Sequence, residues 1–250
     1  VHGASIIEVV KKGMTWDYAQ RSRFNRRIHT LTDMELSGPA ARTPHMITKY
    51  STDGSRTRGT VNNCANGETP WGTYLTCEEN WAGYFRRITA TDNPHRTAKE
   101  VVSLARYGVA GNGRELWATV TPDTPDDLYG RWNAMTLGVS IDGSDDYRNV
   151  ANTYGWVVEV DPMDPGSTPV KRTALGRAAH EGAWVAVTKD GRAVVYSGED
   201  SRFEYLYRFV SRDKIAAAGN GKTAAQANAT LLDHGTLSVA RFDANGMGRW

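Results

Sequence analysis

Cysteine is nearly missing from this chain: Cys64 and Cys77 are the only two in 250 residues. That count excludes a multi-bridge disulfide scaffold and any paired CxxC module, and leaves a single bridge, a thiolate ligand or two inert thiols. Charge of one sign is missing too, with 30 basic against 28 acidic residues and a net charge of +2. Nucleic acid and anionic membranes reward a one-sided field, so neither is an expected partner. No apolar run approaches the roughly 18 residues of a membrane span, and no basic stretch followed by an apolar one opens the chain. There is no GxSxG, GxxxxGK(S/T), HExxH or EF-hand loop. Serine hydrolases, nucleotide-loop enzymes and zinc proteases therefore lose their usual support.

Leucine is scarce as well, 12 residues against 20 Val and 25 Thr, while Gly contributes 25. β-branched residues punctuated by glycine favour strands joined by tight turns over helices. One pattern recurs: an apolar run, a turn of Asp, Asn and Gly, and a second apolar run. It is present in "MITKYSTDGSRTRGTVNN", "AWVAVTKDGRAVVYSGE" and "LSVARFDANGMGRW", and a longer turn, "DPMDPGSTP", separates "GWVVEV" from "VKRTAL". Such turns predict antiparallel hairpins. The clearest series predicts four consecutive strands at 183–188, 192–197, 203–210 and 236–242.

Four antiparallel strands make one propeller blade of about 40–50 residues, although sandwiches and barrels use the same hairpins. The expected class is mainly β, with 1–250 as a single partial β-propeller domain. The stretch from about 86 to 153 breaks the rhythm and reads as a long insertion, with one helix over about Thr97 to Tyr107. A second helix is expected near Asp213 to Gly219. Setting the insertions aside leaves about three or four blades, fewer than most of the four to eight with which such rings close. The chain starts at Val1 and stops at Trp250 just after the turn-like "DANGMG", so it reads as cut from something longer.

Chemistry-bearing residues concentrate in "NNCANGETPWGTYLTCEENW". Cys64 lies among amides and small turn formers, which suits a thiol on a bend. "TYLTCEENW" alternates like a strand, so Cys77 and Glu79 would share one face and Glu78 the other. His180 and Glu181 stand just before another alternating strand. In a propeller that position faces the central channel, where residues of several blades meet. The cluster Arg21 to Ile28 could fork a phosphate or form a solvated edge. Glu199, Asp200 and Glu204 could bind calcium or make ordinary ion pairs.

The stretches "TVNNCANGETPWGTYLTCEENWAGYF", "GWVVEVDPMDPGSTPVKRTALGRAAHEGA" and "DGRAVVYSGEDSRFEYLYRFVS" resemble the PhoX-type alkaline phosphatase family. "SRFNRRI", "LSGPAA" and "LDHGTLSVARFDANGMG" extend the likeness over nearly the whole chain. The resemblance implies a β-propeller phosphomonoesterase of the periplasm or exterior, exported by the twin-arginine route, with an iron (Fe3+) and calcium (Ca2+) cluster on the propeller axis. It implies metal ligation by Cys64, Glu79 and Glu181, with Glu159 as the fallback for the third position. Small phosphate esters would be its substrates and a monomer its expected state. The family's phosphate-binding arginine and later acidic segments have no counterpart before Trp250, so the catalytic arginine is expected beyond residue 250. A non-catalytic metal-binding propeller, or a hydrolase of phosphodiesters or phytate, is the alternative.

Overall fold

The computed structural model describes residues 2–120 and 128–250. Its strands form one six-stranded sheet, one four-stranded sheet and three two-stranded ribbons. The four-stranded sheet is the predicted meander: Trp184–Val187, Arg192–Gly198, Leu206–Lys214 and Gly235–Val239 pair in chain order, all antiparallel. Its first turn closes on Gly191 at φ +90°, a conformation that costs glycine nothing. The third strand runs on to Lys214, so the helix expected near Asp213 to Gly219 does not form; the short helix of this region is Ala224–Ala227.

The six-stranded sheet is less local. Its order is Arg56–Arg58, Asp33–Ser37, Val170–Arg172, Val157–Val160, Tyr74–Glu78 and Asn63–Glu68. All neighbours are antiparallel except Val170–Arg172 with Asp33–Ser37, which run parallel. The "GWVVEV…VKRTAL" hairpin forms as expected. The "MITKY" run does not become a strand: Pro44–Met46 is a 3-10 turn, and Arg56–Arg58 pairs with Asp33–Ser37 instead.

Alternation decides what each face of this sheet buries. Leu75, Cys77 and Val157 pack with Ala193, Val195 and Phe209 of the second sheet, while Val158 and Val160 turn to Ile28 and Met34 on the other side. Both faces are covered, which is why Val157–Val160 is an unbroken apolar run apart from Glu159. Each such side chain contributes about 1.5–3 kcal/mol when fully buried.

Residues 86–153 carry helical turns and isolated bridges but no strand among the described residues; 121–127 of the expected insertion lie outside them. The helix here is Ala98–Arg106, one residue inside the expected limits at each end, capped reciprocally by Thr97 and Glu100. The segment is well packed. Its Trp132 joins Trp81, Tyr84, Phe85 and Tyr154 in an aromatic core, with Phe85 and Tyr154 rings 5.2 Å apart and Trp117 edge-on to Trp132 at 5.0 Å.

Candidate metal centre

The Asn63–Glu68 strand carries a bulge. Asn63 opposes Glu78 and Asn66 opposes Thr76, so three steps on one strand match two on the other. Cys64, expected on a bend, thus lies within a strand at the point where its ladder is broken, and the extra residue re-aims the side chains. Cys64 is exposed and unbridged, and Cys77 is buried and unbridged. No disulfide joins them.

Glu79 follows directly on the Tyr74–Glu78 strand. Its N–H donates to the Asn62 carbonyl at 3.2 Å, and Asn62 adopts φ +47°, which asparagine tolerates better than most residues. From the second sheet, the His180 N–H donates to the Glu78 carbonyl at 3.1 Å, and the Glu181 N–H to the Gly198 carbonyl at 3.2 Å. An antiparallel bridge between His180 and Glu199 sets Glu181 opposite Gly198 and Asp200 opposite Ala179, with the Asp200 N–H on the Ala179 carbonyl at 3.3 Å. Close approach of the two sheets depends on Gly67, where a Cβ would collide with the Ala183 carbonyl.

The result is an anionic set drawn from both sheets. Cys64 and Asp200 both lie close enough to Glu79 to alter its affinity for a proton, the thiol lowering it and the carboxylate raising it. Desolvation, then Asp200 and Glu181, hold Glu79 above the usual carboxylate range. Desolvation, then Glu79 and Glu181, hold the Cys64 thiol above its ordinary value. Among the described residues no three His, Cys, Asp or Glu side chains close around a single ion; the four groups form an open set. Its chemistry nonetheless fits a cation. Groups that raise one another's proton affinity are the ones a positive ion would stabilise most, and a thiol beside carboxylates offers both soft and hard donors to a metal ion.

Other sequence candidates are engaged elsewhere. Glu159, the fallback ligand, is buried: its Oε1 accepts from Trp71 Nε1 at 2.8 Å and Thr73 Oγ1 at 2.5 Å, and its Oε2 accepts from Arg172 Nε at 2.7 Å. It has no contact with the Cys64 set. Glu78 is fully buried, its Oε1 bonded to Lys171 Nζ at 2.7 Å. In the basic cluster, Arg26 donates to the carbonyls of Phe24, Asp161, Pro162 and Asp164, which ties the segment to a turn rather than to a phosphate. Of the acidic trio, Glu204 pairs with Arg106 at 2.7 Å and Glu199 accepts from Tyr207 at 3.4 Å; Asp200 alone joins Glu79. Sequence reasoning flagged Asp200 but assigned it to another group.

His180 is held neutral behind this edge, with Nδ1 2.6 Å from Ser197 Oγ and Nε2 2.8 Å from the Gly176 carbonyl. Burial pulls its pKa down to about 4. An unfolded chain binds a proton at this residue below about 6.5 and the folded one refuses it until about 4, so folding stability falls as pH is lowered through that window. The expected loss is about 3 kcal/mol at most. Denaturant midpoints between pH 7 and pH 4.5, compared with those of His180→Gln, will check it; parallel curves for the two proteins would dismiss the effect.

A family profile described as alkaline phosphatase PhoX matches residues 1–250. Among solved structures, "Pseudomonas fluorescens PhoX in complex with vanadate, a transition state analogue" is similar at 47% sequence identity and a TM-score of 0.78. The match covers 96% of this chain and 37% of that one, so the chain spans little more than a third of the length of its structural neighbour. No curated protein matches it.

Proposed function

Since the chain belongs to the PhoX alkaline phosphatase family, we propose that it is the part of a metal-dependent phosphomonoesterase that supplies Cys64, Glu79, Glu181 and Asp200 to an iron and calcium centre. The observation that carries this reading is that Cys64, Asp200 and Glu181 all act on the proton affinity of Glu79 at the junction of the two sheets. The four-stranded meander would be one blade of a β-propeller, with this junction on the side facing its axis. Small phosphate esters are the proposed substrates and the periplasm or exterior the proposed location.

Bound there, the metals would supply the positive charge that draws in a phosphate dianion and stabilises the charge spreading over the transferring phosphoryl group. The protein's own part is to hold one thiol and three carboxyl groups near one another. Cys64 presents its sulfur from the bulge, and Asp200 acts on the Glu79 carboxyl by its charge. The Glu181 backbone is fixed by its N–H on Gly198.

The test is hydrolysis of p-nitrophenyl phosphate by the full-length protein, with elemental analysis of the same sample. Iron at stoichiometric level, calcium-dependent turnover and loss of both on chelation are expected. Turnover that survives complete removal of iron and calcium would remove the basis of the reading.

A further inference from the structure

A cavity of about 640 Å³ lies between the Ala98–Arg106 helix, the Pro44–Met46 turn and the segment carrying Arg177. It is distinct from the Cys64 set, none of whose residues lines it. Its volume falls within the range of small-molecule sites. Met46, Leu104 and Trp156 give it a buried apolar wall. His45, Ser103 and Asn152 add polar groups.

Arg177 is the unusual member of the lining. Its Nε donates to the Tyr154 carbonyl at 3.0 Å and its Nη2 to the Ala151 carbonyl at 2.7 Å, while its plane stacks on Trp81 at 4.3 Å and Tyr107 at 4.7 Å. Nη1 has no hydrogen-bond partner among the described residues, and no carboxylate forms an ion pair with this guanidinium. Two carbonyls satisfy donors but do not neutralise a charge. Desolvation lowers the Arg177 pKa to about 10 even though the residue is half-buried rather than enclosed, so its unpartnered edge stays open to a ligand. The acid on the cavity wall, Glu100, does not serve: its Oε2 accepts from Thr97 N at 2.8 Å and Thr97 Oγ1 at 2.7 Å, and its Oε1 faces Arg96 at 3.9 Å. Arg96 is itself paired with Asp92 at 3.0 Å.

We propose that this cavity is a second ligand site, for a small carboxylate with an apolar body: the carboxylate meets the free edge of Arg177 and the body lies on Met46, Leu104 and Trp156. A carboxylate fits better than a phosphate because Arg177 is, among the described residues, the one unpaired cation beside the apolar wall, Lys99 lying exposed at the rim and Arg96 being held by Asp92, whereas a phosphate dianion calls for several convergent donors. The site is independent of the metal reading, since it shares no residue with it.

Calorimetric titration of the metal-free, full-length protein with benzoate and with hexanoate tests the proposal, with inorganic phosphate as the comparison. Removing the metals keeps the Cys64 set from capturing anions. Saturable one-to-one binding of at least one carboxylate is expected. It should weaken at least about tenfold in Arg177→Met and in Ser103→Phe, and stay unchanged in Glu79→Gln. Ser103→Phe fills the cavity from the half-buried side of a helix, so it decides the matter if Arg177→Met does not fold. Absence of carboxylate binding to about 10 mM, binding that survives Ser103→Phe, or phosphate binding as tightly as either carboxylate would each overturn the assignment.

Discussion

Cys64→Ala and Glu79→Gln are each expected to lower the phosphatase activity of the full-length protein at least about 100-fold and to reduce its iron content in parallel. Removing even an outer partner of a metal ligand typically costs 10–100-fold, and these residues are the proposed ligands themselves. Glu79→Gln is the sharper test. The amide keeps the shape of the side chain, so only the capacity to carry a negative charge is lost. Neither change should unfold the protein, because Cys64 is exposed and Glu79 half-buried. The informative outcome is therefore a metal-poor, inactive protein with an unchanged melting temperature. Full activity with normal iron in either variant would remove that residue from the centre. A fall in melting temperature matching the fall in activity would point to a structural role instead.

A second large effect is expected at Lys171, and on stability rather than chemistry. Lys171 Nζ is fully buried, 2.7 Å from Glu78 Oε1 and 2.9 Å from the Thr153 carbonyl, and 3.7 Å above the Tyr154 ring. Glu78 Oε2 accepts the N–H groups of Gly155 and Trp156 at 3.0 and 3.2 Å. Lys171→Met leaves the Glu78 carboxylate buried without its cation, which should cost about 3–5 kcal/mol. For a domain of this size that is a fall in melting temperature of about 10 °C. Adding Glu78→Gln to Lys171→Met should restore part of the loss, because a neutral amide in the same cradle of donors is easier to bury than an unpaired charge. Thermal and urea unfolding of the two variants will show it. A double variant less stable than Lys171→Met alone would contradict the account.

The second sheet was legible because it is local: the Asp190-Gly191 turn sits between two alternating runs, and each strand pairs with its sequence neighbour. The first sheet was not, because its parallel pair joins Asp33–Ser37 to Val170–Arg172 across more than a hundred residues and no turn residue announces it. Glu78, Glu159, Lys171 and Arg172 look like surface charges in the sequence. They are buried partners, Glu159 with Arg172 on neighbouring strands and Glu78 with Lys171 across the strand between, and only the register reveals that. The same holds for the candidate centre. The family resemblance pointed to Cys64, Glu79 and Glu181, whereas Asp200 became visible only once the fold set it next to Glu79.

The irregularity at Cys64 and Ala65 makes chain length, more than residue identity, the constraint on this stretch. Removing Ala65 would let the Asn63–Glu68 strand pair regularly with Tyr74–Glu78 and would turn every side chain on one flank of the deletion to the opposite face. The sulfur would then be carried away from Glu79 although no donor atom had been substituted. Natural variants of this segment should accordingly accept exchanges at Ala65 far more readily than any insertion or deletion between Asn63 and Asn66.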